Sequence, residues 1–230
     1  MEYDVIFMSY GEKNSDKNFE LVKDKAPHAK RIEGVKGIGN AHKACADISK
    51  TDMLWIVDAD AELANYFEFD YEPKENKVHS WLSFNPVNGI ICNHGAVKLY
   101  PTKSLKVELH DWFLDFNTSK YPMSETIFVN EISNTTAFNT DPFSTWRAAF
   151  KQTVKYNYWQ ATMSKYRAQH QGYPNFQNKI DIWCSVGEDK PFGKYAIEGA
   201  KRGCLFYKEN NKKTLHLINN YVIMEEMFNE

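Results

Sequence analysis

Two carboxylates one residue apart, Asp58-Ala59-Asp60, close an apolar run, Met53-Leu54-Trp55-Ile56-Val57. Five apolar residues in succession suit a strand buried on both faces of a parallel sheet. Alternate residues of an extended chain point the same way, so Asp58 and Asp60 would face one spot beyond the strand's carboxyl end. Open α/β sheets bind their ligands there. Two carboxylates at one spot repel each other unless a positive charge sits between them, and a hard divalent cation, Mg²⁺ or Mn²⁺, is the natural candidate. By itself Asp-x-Asp more often marks a solvated turn. The buried strand in front of it favours the metal.

The elements that would carry these carboxylates can be read from the same half of the chain. Asp4 to Tyr10 is a buried strand with a polar exit at Ser9 and Tyr10. Ser15 can cap a helix that runs to about Ala26, where Pro27 stops it. Arg31 to Val35 reads as a second strand. Lys36-Gly37-Ile38-Gly39-Asn40 is a glycine-rich loop, with Asn40 placed to cap a helix whose apolar face is Ala41, Ala44, Cys45 and Ile48. The strand ending at Asp58 completes a βαβαβ unit, the nucleotide-binding half of a Rossmann-like α/β fold. The loop is no dinucleotide fingerprint, because His42 occupies the third glycine position, and it lacks the Gly-Lys-Ser/Thr of a P-loop. Its amides and the following helix N-terminus still suit a phosphate.

Beyond Leu63 the pattern changes. Val78 to Phe84 alternates like a strand, and Ile90-Ile91-Cys92 and Ala96 to Tyr100 look like two strands flanking the turn Asn93-His94-Gly95. Residues 108–141 read as an irregular stretch, with aromatics that argue against disorder. A long helix is expected from about Ser144 to Arg167, then shorter ones over Gly193–Arg202 and Leu217–Phe228. The organisation expected is one compact domain: residues 1–107 as the nucleotide- and metal-binding half and 108–230 as the acceptor half.

Composition narrows the class. The hydrophobic and charged fractions, 43% and 25%, are those of a soluble globular protein. No apolar run approaches a membrane span, and the N-terminus enters a strand without a signal-like segment. The four cysteines are scattered without Cys-x-x-Cys spacing, which points to reduced core cysteines and a cytoplasmic setting. The net charge of −2 hides an asymmetry: Pro142 to Lys213 holds 13 basic and 5 acidic residues, so the remainder carries −10. An acidic half suits a metal, and a basic half suits either solvent or a polyanion.

The span Asp4–Leu63, with Gly37-Ile38-Gly39-Asn40-Ala41-His42 leading to Asp58-Ala59-Asp60, resembles a GT-A glycosyltransferase. Three later stretches are similar to phage-type proteins related to family-2 glycosyltransferases: Asn85-Pro86-Val87-Asn88-Gly89, Gly95 to Pro101, and Thr136 to Arg147. Some members of that group are thought to glycosylate 5-hydroxymethylcytosine in phage DNA, including by arabinose transfer.

The resemblance implies a metal-dependent transferase in which Asp58 and Asp60 hold Mn²⁺ or Mg²⁺ against the diphosphate of a UDP-sugar. His216 is the candidate third ligand. Ser9, Tyr10, Lys36, Gly37, Asn40, His42 and Asp58 would line the donor, although His42 departs from the basic residue often found there. Asp115 is the preferred base, with Asp111 and Glu131 as rivals. His94, Gly95 and Lys98 resemble the acceptor side, and Trp146 and Arg147 join them, Arg147 suited to a phosphate. Tyr156, Trp159 and Tyr166 among Lys151, Lys155 and Arg167 suit stacking against a flipped base, or plain core packing. A transferase acting on a surface polysaccharide and a non-catalytic nucleotide-sugar-binding module are the alternatives. The sugar (arabinose or glucose are the guesses), the stereochemical outcome and the oligomeric state stay open at this stage, and a phage-encoded chain would work in the host cytoplasm.

Overall fold

The computed structural model describes residues 2–92, 95–106, 126–167, 176–210 and 214–230, and the side chains of all of these except 163–167. The described chain divides into two compact units, residues 1–85 with 91–137 and residues 86–90 with 138–230.

The first unit is an α/β sheet. Strands β1 (Asp4–Ser9), β2 (Lys30–Glu33) and β3 (Met53–Asp58) alternate with helices α1 (Ser15–Lys25) and α2 (Ile38–Ile48), giving the expected βαβαβ unit with β1 parallel to both neighbours. Then follow β4 (Ala61–Leu63), β5 (Val78–Phe84), β6 (Ile91–Cys92), β7 (Val97–Pro101), the short helix α3 (Thr102–Leu105) and β8 (Thr126–Thr136). The order is β2-β1-β3-β7-β5-β8-β4, with β6 attached to β5. β7 runs antiparallel to both β3 and β5, so the sheet is mixed.

Both faces of this sheet are covered, which is why its central strands are apolar throughout. Val5, Phe7, Trp55, Val57 and Leu99 pack on one face with Val22 of α1 and with Ala26, the residue that follows it. Ile6, Met8, Leu54, Ile56 and Tyr100 pack on the other with Ala41, Cys45 and Ala46 of α2. Around Trp55 gather Phe67, Phe69 and Trp81, with ring centroids 4.6 to 6.0 Å away.

The second unit is helical: α4 (Pro142–Arg167), α5 (Phe176–Trp183), α6 (Gly193–Glu209), a 3-10 turn (Leu215–Asn219) and α7 (Tyr221–Asn229). Asp141 starts α4 by accepting the Ser144 amide at 2.8 Å, and Pro142 occupies the first helical position, where its missing N–H costs nothing. α6 lies close against α4. A Cβ added at Gly199 would run into the Trp146 carbonyl, and one at Gly203 into the Thr153 hydroxyl. That hydroxyl sits 3.0 Å from the carbonyls of both Ala149 in its own helix and Ala200 in α6.

Several local expectations change. Tyr10 lies outside β1, and Asn40 sits inside α2, which begins at Ile38; its side-chain amide donates back to the Lys36 carbonyl at 3.1 Å. The stretch read as irregular contains β8, whose polar run Asn130 to Thr136 gives no alternation to read because it carries a bulge, with register shifts opposite Trp81 and Leu82. β8 pairs with β5, so the sheet unit extends past the boundary expected near residue 107.

His79 on β5 is fully buried, and its Nε2 accepts the Lys74 amide at 3.1 Å, so the ring is neutral. Burial pushes it down from 6.5 to about 4. Between those values the unfolded chain takes up a proton that the folded chain refuses, so stability is present above 6.5 and is lost as pH falls towards 4, by up to about 3 kcal/mol. The urea midpoint of the wild type should therefore fall more steeply between pH 7 and 4.5 than that of His79→Gln, which keeps an acceptor but cannot titrate. Parallel curves would contradict this assignment.

Candidate functional site

The carboxylates sit where β3 ends. The chain turns at Ala59 and Asp60, yet the alternation persists: Ala59, Ala61 and Leu63 are buried in the α1-side core while Asp58, Asp60 and Glu62 stay half-buried outside it. The turn is held at each of its residues. The Asp58 amide donates to the Ala96 carbonyl at 2.9 Å. The Ala59 carbonyl accepts Nδ2 of Asn18, a fully buried residue of α1, at 2.9 Å. The Asp60 carbonyl accepts the Ala137 amide at 2.7 Å, and the Ala137 carbonyl in turn accepts Asn14 Nδ2 at 3.0 Å. The β1–α1 loop, the β3 turn and the end of β8 are thereby tied together.

Asp58 faces the α2 side. Burial, with the charge of Asp58 added to it, pushes the Cys45 thiol of α2 up to about 12. Lys98 lies on the same side, because β7 sets it opposite Ile56. Its Nζ is 3.7 Å from Asp58 Oδ2, with the lysine side chain only 8% exposed and the aspartate 36%. A lysine this deep in a sheet is stable only beside a negative charge.

Of the other donor-side candidates, Ser9 is buried and its hydroxyl accepts Arg31 Nε at 3.0 Å. Arg31 also reaches Asp16 and Glu33, so the exit of β1 is fastened to β2 and α1. Tyr10 is 58% exposed, with its ring free of the core. Gly37, at φ 90°, adopts the left-handed backbone that admits glycine and starts α2, with Lys36 exposed beside it. His42 turns inward, 4% exposed, its Nδ1 on the Ile38 carbonyl at 2.8 Å and its ring edge-on to Tyr100. Packing accounts for His42.

On the expected acceptor side, Gly95 donates to the Trp81 carbonyl at 3.1 Å, and a Cβ there would strike that carbonyl, so close strand approach explains the glycine. Glu131 is exposed on the β8 bulge and accepts the Trp81 indole N–H at 3.1 Å. His94, Asp111 and Asp115 lie outside the described residues.

Trp146, Arg147 and His216 belong to the second unit. Trp146 is a core residue of that unit, 4% exposed and stacked on Phe150 at 4.8 Å. Arg147 lies over the Tyr221 ring at 5.1 Å, and its buried Nε meets no acceptor among the described residues. His216 is on the exposed side of the 3-10 turn. Tyr156, expected as one choice to stack on a base, is 2% exposed and packs on Phe176. The side chains of Tyr166 and Arg167 lie outside the described residues.

Among the described residues no three His, Cys, Asp or Glu side chains converge as a metal cage. The donor set at Asp58 and Asp60 still fits a hard cation, since magnesium-type sites use one or two carboxylates and leave the remaining positions to water and phosphate oxygens. Sequence reasoning missed Asn18 and the role of Lys98. Asn18 was visible as a polar residue on the buried stripe of α1 with Ser15 and Val22, while Lys98 depends on a strand pairing that only the fold supplies.

No family model matches the chain, and no curated protein matches it. Among solved structures the chain is similar to the mannosyltransferase PcManGT from Pyrobaculum calidifontis, solved in complex with GDP-Man and Mn²⁺. The TM-score is 0.40 at 9% identity, over 100% of this chain and 87% of that one. A likeness this loose says nothing of the side chains.

Lys98→Met should destabilise the chain by about 1–3 kcal/mol, because Asp58 is left beside a buried apolar group. Asp58→Asn added to Lys98→Met should restore part of that loss, a coupling that chemical denaturation of the four proteins measures. Strictly additive losses would mean that the ion pair contributes nothing.

Proposed function

We propose that this chain is a metal-dependent glycosyltransferase that uses a nucleotide-sugar donor. The observation that carries the reading is the pinned Asp58-Ala59-Asp60 turn at the carboxyl end of the last strand of a βαβαβ unit, with a buried lysine beside it.

In this reading Asp58 and Asp60 hold Mn²⁺ or Mg²⁺, which when bound neutralises the charge gathering on the departing diphosphate. Lys98 holds the Asp58 carboxylate in place when no diphosphate is present. The amides at the start of α2 and the exposed Lys36 meet the phosphates. Tyr10 offers an exposed ring to the base of the nucleotide. His216 is proposed as a further ligand, and Asp115, Asp111 or Glu131 as the base that takes the proton of the acceptor hydroxyl.

For the finer identity, UDP is the proposed nucleotide, arabinose or glucose the sugar, and 5-hydroxymethylcytosine in DNA the acceptor. The support is the resemblance carried by Asn85–Gly89, Gly95–Pro101 and Thr136–Arg147, with the excess of positive charge between Pro142 and Lys213. Arg147, with an unanswered Nε, suits a phosphate of that acceptor.

The test is transfer from a panel of UDP- and GDP-sugars to hydroxymethylated DNA, followed by release of nucleoside diphosphate and by the mass of the digested nucleosides. The expected result is a new glycosylated nucleoside from one UDP-sugar, abolished by chelation and restored by Mn²⁺. Slow, metal-dependent donor hydrolysis that DNA does not change would keep the donor site and overturn the acceptor. No turnover of any donor with metal would overturn the transferase reading.

A further inference from the structure

Two of the four cysteines, far apart in sequence, meet in space. All are free thiols, but Cys184, at the end of α5, and Cys204, in α6, bring their sulfurs to 3.9 Å within the helical unit. Both are half-buried, so solvent reaches them, whereas Cys45 is sealed in the sheet core. Asn157 of α4 points its Nδ2 at Cys204 Sγ from 3.4 Å.

We propose that Cys204 and Cys184 form an oxidisable dithiol, with Cys204 as the attacking thiolate and Cys184 as the resolving thiol, whose reactant is a peroxide. The surroundings assign the two roles. Facing Cys204 are Cys184 of the α5 end, Asn157 and Thr153 of α4, and Lys208 of α6 itself. The Cys184 thiol donates to Cys204, burial opposes, and the Asn157 amide, Lys208 and Thr153 help to bring Cys204 down to about 6. Cys184 is pushed up, first by its hydrogen bond with Cys204, then by burial and the Cys204 charge; Lys201 opposes and Asp181 reinforces the rise. The amide of Asn157 and the ammonium of Lys208 on the Cys204 side favour Cys204 as the attacking sulfur.

The chemistry balances. Cys204 thiolate attacks one peroxide oxygen, the S–O bond forms, the O–O bond breaks, and the departing hydroxide takes a proton from solvent to leave as water. Cys184 sulfur then attacks the Cys204 sulfenic acid, forming S–S and breaking S–O, and its proton leaves with the hydroxide as a second water. Two thiols lose two electrons and one peroxide gains them. The sulfurs must close from 3.9 Å to the disulfide length of about 2 Å.

The test uses the full chain, treated with one equivalent of hydrogen peroxide, quenched with an alkylating reagent and mapped by mass spectrometry. The expected product is a Cys184–Cys204 linked peptide two mass units lighter than the dithiol, with Cys45 unoxidised. Cys184→Ser should instead accumulate Cys204 sulfenic acid, trapped by dimedone, and Cys204→Ser should react at least tenfold more slowly. Alkylation of Cys204 should titrate near pH 6 in the wild type and at higher pH in Asn157→Ala and Cys184→Ser. Oxidation that favours Cys92, or Cys204 alkylation titrating at an ordinary thiol pH, would overturn the proposal.

Discussion

A carboxylate at the end of a buried strand needs its charge answered, and here Lys98 answers Asp58. The pair rests on strand order. β7 enters the sheet between β3 and β5 in the reverse direction, and that pairing carries a lysine into the layer beneath α2. Tyr100 and Ile56 exclude water around its stem, while its ammonium reaches the one face of β3 that ends in acid. Alone, either charge would be costly at this depth. Together they set a carboxylate and its counter-charge at the edge before any ligand arrives.

The rest of the first unit fixes that edge in place. Asn18 spends its buried side chain on the Ala59 carbonyl rather than on its own helix, and Asn14 reaches the Asp60 turn through Ala137. Asp4, at the opposite end of β1, anchors the sheet in a similar way: burial opposes its charge, but Lys30, the Lys50 amide and Ser49 hold its carboxyl below the usual range. The second unit uses a different device. Ala196, Gly199, Ala200 and Gly203 let α6 approach α4 at backbone distance, and Thr153 shares its hydroxyl across the contact. That closeness also brings Asn157 to Cys204.

How much of this could be read from the chain depends on the range of the interaction. The βαβαβ unit was legible because burial on both faces writes continuous apolar runs into β1 and β3, and because α1 and α2 each carry a periodic buried face. The carboxylate pair was legible for the same reason, as the abrupt end of such a run. β8 was not, since its short apolar start, Ile127-Phe128-Val129, passes at a bulge into a mostly polar run without alternation. The contact of Lys98, known in the sequence only as an acceptor-side resemblance, with Asp58 was invisible, as was the meeting of Cys184 with Cys204, because both depend on which elements pack together. Trp146, Tyr156 and His42 show the converse: residue type alone does not reveal that each side chain is buried, which the packing of its helix decides.

The central claim is that the Asp58-Ala59-Asp60 turn receives a divalent cation together with a nucleoside diphosphate. Electron paramagnetic resonance of Mn²⁺ tests it most directly, with wild type and Asp60→Ala, each with and without UDP. The account predicts that the wild type removes the free-ion signal strongly only when UDP is present, and that Asp60→Ala loses at least tenfold in that affinity. A signal unaffected by the wild-type protein with UDP, or an equal loss of signal with Asp60→Ala, would contradict it.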